Sequence, residues 1–591
     1  MIKASDYYKE KFELASKAYS KLKKERRWVG LIRLIVFVLT ASLVYNFYQN
    51  TVVWSLSLIL GLSVFLFLVR KHVDQKKGLI SLLNRMELLK NYQSLLDGDS
   101  SFQNDGSKWE PQVHAYSNDL DLFGQGSFFQ LLNTTVTPQG EHVLASKLLS
   151  NDIVEIQEKQ NFIKELAGLS DFRLEFSTQA KGREVSVEKI EQTYKFLEDY
   201  QDSGLKISSM VVHLFSTVSV GLLLGVSFFS LPFVLLLIWG IIGLVLTGVY
   251  FKRTNDFSSI TDDLLPVLQG QANLLDYAQK VTFHTLHGKN LQSLFQLDRL
   301  NPGAVIGQFS RIISRLDQRN NMMIGVLANA LLLWDIRQMN AVNKWLDSYR
   351  SLWGNWRRSL AELDASKALA DFVFHHPDYS FASLTADRGQ VVARGLGHPL
   401  IDQEHLVKND MELKRGNLWV VTGANMAGKS TFLRSLGLSV MMSNMGLPVC
   451  ASEFEYHPVR LISSMRTSDS LMEQSSYFHA ELYRLKYVLN HALEQEYLVL
   501  LDEILKGTNS VDKAEGSFRY LRKLHRGPSS IVVATHDLSL CDLANDSQTV
   551  SNYFFEADIK ADELSFDYKL QHGICKNMNA SYLLKKMDLI D

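Results

Sequence analysis

Two stretches of this chain carry no Asp, Glu, Lys or Arg: 36 residues from Leu34 to Val69 and 45 residues from Ile207 to Phe251. A helix that is apolar on every side has no face to offer water, so runs of this length constrain the fold more than any other feature of the sequence. A single helix needs about 20 residues to cross the hydrocarbon of a bilayer. Each run therefore reads as two helices closing a hairpin. In the first run the polar residues Tyr45, Asn46, Tyr48, Gln49, Asn50 and Thr51 form a natural tip, and in the second Ser230-Leu231-Pro232 is the break. Lys21, Lys23, Lys24, Arg26 and Arg27 precede the first run, Arg70, Lys71, Lys76 and Lys77 follow it, and Lys252-Arg253 close the second. Because basic residues favour the cytoplasmic side, the expectation is a cell-membrane protein with four crossings whose hairpin bases lie inside. The first run begins far from Met1 and no small-residue cleavage site closes it, which argues against a secretory signal.

At 591 residues the chain exceeds one compact core, and about three or four structural units are expected. A net charge of -1 excludes a globally basic nucleic-acid binder, since phosphate contacts come from clustered Lys and Arg. A local basic surface stays open. The three cysteines, Cys450, Cys541 and Cys575, are too few and too scattered for a disulfide framework or a metal cluster, as befits a reducing compartment.

The pattern divides the chain. Residues 1–98 read as charged helices leading into and out of the first hairpin, and 99–116 as a polar linker. Residues 117–378 read as a helical core and lever region interrupted by the second hairpin, with a break at Asn301-Pro302-Gly303. From 379 to 591 short β-branched runs alternate with helical stretches, at Gly389–Ala393, Leu418–Thr422, Tyr497–Leu501 and Ser530–Ala534. This is the pattern of an α/β domain with a mostly parallel sheet.

The chemistry lies in that last region. Gly423-Ala424-Asn425-Met426-Ala427-Gly428-Lys429-Ser430, with Thr431 opening a helical stretch, fits a phosphate-binding loop between a strand and a helix. Its backbone N–H groups would close around phosphate at a helix N-terminus. Lys429 would bridge the terminal phosphates of ATP and Ser430 would hold Mg²⁺. The apolar strand Tyr497–Leu501 ends in Asp502 and Glu503, one placed for the metal and the other for the attacking water. Thr535-His536-Asp537 ends a further apolar run, which puts His536 where a γ-phosphate sensor would sit.

Three segments, Thr422–Arg434 (TGANMAGKSTFLR), Leu501–Asp512 (LDEILKGTNSVD) and Ala534-Thr535-His536, closely resemble the ATPase domain of the MutS family, relatives of the ABC ATPases. His398-Pro399, Gly446–Ala451, Ser468–Leu471 and Ser476-Tyr477-Phe478 with Glu481 are similar to the family's remaining elements. Gly126–Phe129 and Asn133–Gly140 resemble the opening of its helical core. The resemblance implies a P-loop NTPase domain of MutS type behind a helical core and lever region that carries the two hairpins. It also implies Mg²⁺-dependent ATP hydrolysis and a homodimer with composite ATP sites. Ser476 would reach the γ-phosphate bound by the partner, and Thr508, Asn509 and Ser510 would line the subunit contact.

The chain departs from the family at Gln474, where a glycine is usual before the signature serine, and at Ala427, where the loop usually has a second glycine. The mismatch-reading domain is not expected, because the first apolar run occupies its region; Phe12-Glu13 and Phe454-Glu455 do not form its wedge motif. The leading expectation is a membrane-anchored ATPase coupling ATP binding and hydrolysis to lever movement, with duplex DNA bound through its backbone and without mismatch reading. The alternatives are a membrane regulatory or structural ATPase acting on a protein, and an ABC-type transporter. Arg311, Arg315 and Arg319 share one helical face and read as a solvated or salt-bridged face. If the topology holds, cysteines introduced near Asn50 and Ser230 react with an impermeant thiol reagent from outside the cell membrane. Labelling of Asn50 from the inside alone rejects four crossings.

Overall fold

The computed structural model describes residues 3–180, 187–200, 207–261, 264–295, 300–320, 322–386, 391–466, 477–506, 509–560 and 563–575. Its helical part begins with α1 (Ala4–Asn46) and α2 (Thr51–Leu96), followed by α3 (Phe128–Leu132), α4 (Pro138–Leu149), α5 (Ile156–Gly168), α6 (Ser170–Ala180) and α7 (Val187–Asp199). Then come α8 (Ser209–Phe228), α9 (Phe233–Thr261), α10 (Leu264–Ala278), α11 (Leu286–Phe295), α12 (Pro302–Asp317), α13 (Met322–Leu332) and α14 (Trp334–His375).

Helices α1 and α2 pack as an antiparallel hairpin whose turn falls at the polar tip. Asn50 caps α2 by accepting a hydrogen bond from Val53 N at 3.2 Å. Beyond the basic flanks the outer faces are apolar and open, with Phe37, Leu60 and Phe67 well exposed. Helices α8 and α9 form the second hairpin, in which Trp239 stacks on Phe215 with centroids 4.4 Å apart and donates to Ser219 Oγ at 2.9 Å. Among the described residues, α1, α2, α8 and α9 are long and apolar enough to cross a membrane.

An eleven-residue helix, α13, joins the second hairpin and was not foreseen as a separate apolar element. It runs against α9, where a Cβ on Gly243 would meet the Ala330 carbonyl oxygen at 2.3 Å, so the two backbones approach as only glycine permits. Met323, Val326 and Leu327 leave its other side exposed. At this length an apolar helix is too short to span a bilayer, so the sequence gives no spanning signal here.

Helix α14 starts where α13 ends. Its 42 residues extend about 63 Å at 1.5 Å per residue. Near its start Asp335 forms a buried ion pair with Arg319 at 2.9 Å. Arg319 also donates to Asn255 on α9, so of the three arginines on one face this one is taken up in the fold, while Arg311 and Arg315 are exposed. Midway, Trp345 stacks on Phe309 of α12 at 4.2 Å, and Trp353 and Trp356 are fully buried. Near its end Asp371 gathers four elements. It pairs with Arg173 of α6 at 2.7 Å and with Lys367 at 3.1 Å, and it accepts from Tyr92 of α2 and Thr134. Burial pushes this carboxyl up, yet Lys367 and Arg173 outweigh burial and hold its pKa at about 2. One turn on, His375 Nε2 meets Tyr8 OH of α1 at 2.8 Å, and Tyr8 stacks on Tyr92 at 5.0 Å. Burial lowers the His375 pKa to about 3, so the ring that meets Tyr8 is neutral.

The C-terminal part contains β1 (Ser380–Phe381), β2 (Ser383–Leu384), β3 (Val391–Leu396), β4 (Asn409–Leu413), β5 (Leu418–Gly423), α15 (Lys429–Asn444), β6 (Pro448–Val449), β7 (Glu453–Tyr456) and β8 (Arg460–Ser464). It continues with α16 (Tyr477–Glu494), β9 (Tyr497–Asp502), α17 (Ser510–Leu524), β10 (Ser530–Ala534), α18 (Leu543–Asp546), β11 (Val550–Lys560) and β12 (Glu563–His572). The main sheet has the order β12-β11-β5-β10-β9-β8, parallel from β11 to β8 with β12 antiparallel at one edge. A second sheet, β2-β7-β3-β4, is antiparallel except for its β2–β7 pair. The expected parallel sheet is therefore only part of a mixed arrangement. Strands β4 and β7 alternate buried and exposed residues, so each covers one face with short runs that give a weak signal.

The stretch after residue 114 clamps this α/β part to the helical part. Asp119 accepts from Ser463 Oγ at 2.6 Å and Arg466 N at 2.7 Å, and Asp121 pairs with Arg434 of α15 at 2.8 Å and with Arg466. Arg484 of α16 donates to the Ala115 carbonyl at 2.7 Å. The segment read as a linker is itself held, with Gln130 donating to the Gln103 carbonyl and Asn133 to that of Asn104.

Removing one member of a buried ion pair leaves the other charge uncompensated, at a cost of about 3–5 kcal/mol. Asp371→Ala is accordingly expected to lower the thermal unfolding midpoint sharply, since Arg173 and Lys367 would remain buried together. Glu515→Ala, which removes a pair more than half exposed, should change it little.

Candidate active site

Strand β5 is completely buried, from Leu418 through Gly423. At its end the chain must turn out of the sheet, and Gly423 does so at φ +145°, where an added Cβ would meet the Phe555 carbonyl oxygen at 2.7 Å. Met426 and Gly428 also have positive φ, and α15 begins at Lys429. The loop residues Asn425–Thr431 line a pocket of about 500 Å³ together with Asp502, Glu503, Lys506, His536, His398, Phe555 and Tyr568.

The sequence-predicted nucleotide-site residues that the structure describes, Gly423 to Thr431 with Asp502, Glu503 and His536, fall at this pocket or on its loop. Lys429 Nζ donates to the carbonyls of Gly423 and Ala424, both at 2.9 Å. Burial lowers its pKa, while Glu503 and Asp502 act in the opposite sense. The Asp502 carboxyl lies above its ordinary range because it is buried, although the Ser430 hydroxyl hydrogen-bonds to it. Glu503 faces His536 Nε2 at 2.7 Å. That hydrogen bond, opposed by burial, holds the Glu503 carboxyl at about 2. Lys429 Nζ lies 3.2 Å from His536 Nε2 and 3.4 Å from Nδ1, over the ring whose Nε2 meets Glu503. Lys429, His536 and Glu503 thus stand side by side in the pocket. Ala427 is fully buried under the loop. Ser476, Gln474, Thr508 and the 468–471 segment lie outside the described residues. Asn509 caps α17 by accepting from Asp512 N at 2.8 Å, and Ser510 begins that helix.

Glu503 and Leu505 both hold positive φ, at 49° and 59°, a conformation that costs non-glycine residues energy. The turn is fixed from both sides, by Glu503 N donating to the Ala534 carbonyl at 2.9 Å and by buried Glu481 accepting from Lys506 N at 3.1 Å. Tyr568 escaped sequence reading: from the edge hairpin β11–β12 it lies beside Gly428, with its Cδ1 3.1 Å from where a Cβ would stand. His398 and Glu481 are singled out by the resemblance, but their roles are not. His398 is a pocket wall whose pKa burial lowers to about 4, and Glu481 holds the backbone at Lys506. Only proximity in the fold gives these roles.

Residues 419–589 match the MutS domain V family. The C-terminal region of the chain is thus that of a MutS domain V. It is 34% identical over 224 residues to the DNA mismatch repair protein MutS of Sorangium cellulosum (strain So ce56), covering 36% of this chain and 24% of that protein. To the DNA mismatch repair protein MutS of Natronomonas pharaonis it is 31% identical over 233 residues, or 38% and 26% of the two chains. To the DNA mismatch repair protein MSH2 of Zea mays it is 28% identical over 249 residues, or 39% and 26%. The chain thus spans about a quarter of the length of these relatives, and the likeness lies in the ATPase region. The pocket described above is accordingly that of a MutS domain V.

A Cβ at Gly423 has no room against the Phe555 backbone. Gly423→Ala is expected to destabilise the protein by about 1–3 kcal/mol, whereas Gly416→Ala, at φ +71° in open space, should cost about 1 kcal/mol or less. Paired thermal melts read the difference, and equal costs would refute the close-approach argument.

Proposed function

We propose that this protein is a membrane-anchored MutS-type ATPase in which ATP binding and hydrolysis at the Lys429 pocket move the α14 lever. The observation that carries the reading is the convergence of Lys429, Ser430, Asp502, Glu503 and His536 on one pocket, in a domain clamped to the helical part through Asp119 and Asp121. Its hard oxygen donors suit Mg²⁺: the Ser430 hydroxyl and the Asp502 carboxylate are already paired. When bound there, the ion neutralises phosphate charge. Lys429 is poised to exchange its carbonyl partners for phosphate oxygens. Glu503, kept ionised by His536, accepts the proton of the attacking water, and His536, through its Nε2 contact, holds that carboxylate at the γ-phosphate end of the pocket.

Two such sites work in a homodimer, with Ser476, Thr508, Asn509 and Ser510 completing each from the partner. The apolar hairpins α1–α2 and α8–α9 cross the cell membrane, and the ATPase faces the cytoplasm. The relatives are named mismatch repair proteins, and from them the ligand proposed is duplex DNA, held through its phosphates without preference for a mismatch. A second reading, in which the lever acts on a protein, is favoured by the engagement of Arg319 with Asp335, which takes one cation from the arginine face. DNA affinity that falls steeply with salt and is equal for matched and mismatched duplexes supports the first reading; no binding at low salt supports the second.

Glu503→Gln is expected to retain ATP binding and to slow hydrolysis by about 10²–10⁴-fold, while Lys429→Ala loses ATP binding. Turnover unchanged in either variant overturns the assignment. In the metal-free protein Asp502, with its raised pKa, takes up a proton at a higher pH than Glu503 does, so Mg²⁺ binding should weaken with falling pH while Glu503 is still ionised. Mg²⁺ affinity that stays flat down to the Glu503 value of about 2 would reverse the order.

A further inference from the structure

At the base of the first hairpin the two helices bring cations together, and the charges that act on His72 there are all basic. Arg26, Gly30 and Arg33 stand at i, i+4 and i+7 on α1, the face turned toward α2. Across the seam His72 and Lys76 stand one turn apart. The His72 ring lies against Gly30, its Cε1 4.0 Å from where a Cβ would be. The missing side chain leaves a notch with an arginine about one turn to either side. Arg26 Nε and His72 Nδ1 are shut off from solvent and have no hydrogen-bond partner. The charges acting on His72 are Arg26, Arg33 and Lys76; together with burial, the larger cause, they lower its pKa. Like charges held this close around unpaired donors are electrostatically unfavourable until an anion joins them.

The level of the notch decides which anion. It lies immediately before the apolar run that opens at Leu34 and after the one that closes at Val69, beside Trp28, which is 67% exposed. Exposed tryptophan next to an apolar span marks the headgroup layer of a bilayer. We propose that the Gly30 notch binds the headgroup phosphate of an anionic phospholipid, with the guanidinium groups of Arg26 and Arg33 as its clamp and the His72 ring as its wall from the opposite helix. This rests on the membrane reading given above and adds to it a lipid preference confined to the first hairpin.

The test uses the full-length protein reconstituted in phosphatidylcholine vesicles with trace spin-labelled phosphatidylglycerol or spin-labelled phosphatidylcholine, and reads the motionally restricted fraction of each. The wild type should prefer phosphatidylglycerol by about tenfold, the scale expected of a few basic groups near the headgroups. Arg26→Gln with Arg33→Gln should abolish the preference. Arg26→Lys with Arg33→Lys, which keeps the charge, should retain most of it, and Lys252→Gln with Arg253→Gln at the second hairpin should leave it unchanged. Equal binding of the two probes by the wild type, or a preference that survives in the Gln variant or is lost equally in the second-hairpin variant, overturns the site. Displacement of the phosphatidylglycerol probe by inorganic phosphate overturns it as a lipid site. Alkaline carbonate extraction of the same vesicles separates the two levels: wild-type protein that washes off overturns the membrane reading and the notch with it, whereas protein that stays without lipid preference overturns the notch alone.

Discussion

The buried carboxylate of Asp371 is the point on which the helical architecture depends. It is shared between Arg173 and Lys367 in the buried interior, and around it meet α2 through Tyr92, α6 through Arg173 and the segment before α4 through Thr134. A charge in such a place is tolerated only when fully paired, so the elements that supply the partners are fixed relative to one another. Four residues on, His375 carries the same junction to α1 through Tyr8. The first hairpin is thereby seated on the end of the long helix α14.

The other end of α14 is tied to the second hairpin by a different device. Arg319 and Asp335 form a buried pair, Asn255 of α9 joins it, and α13 lies backbone to backbone against α9 at Gly243. One rigid helix therefore touches both apolar hairpins, and the segment that follows it leads into the sheets of the α/β part. The clamp of Asp119 and Asp121 on Arg434 and Arg466 returns the connection to α15, the helix that starts at Lys429. The pocket and α14 are thus joined through packed elements, whose interiors leave little space to absorb strain.

At the pocket, burial and pairing set the two adjacent acids apart. Asp502 is pushed up by burial and Glu503 is held down by His536, although they are neighbours in sequence. That division of a carboxylate pair into different protonation behaviour is the usual basis for giving such groups different tasks. The positive φ of Glu503 turns its side chain away from the path of β9 and toward His536.

Much of this was legible in the residues themselves. The charge-free runs determined two hairpins, their tips at Asn50 and Ser230, and the flanking basic residues, because an apolar helix surface is a local property that needs no partner to be recognised. The glycines and Lys429 determined the phosphate loop, and the apolar runs ending at Asp502 and before His536 determined its neighbours, since strand and loop signals are short range. Only the tertiary structure decided that Arg173, Lys367 and Asp371 would share one buried site, that Arg319 would turn to Asp335, that Tyr568 would reach the loop from the sheet edge, and that Glu481 would hold the backbone beside Glu503. These contacts join residues far apart in the chain. What selects them is the exclusion of water around charges and donors, which no spacing along the sequence records.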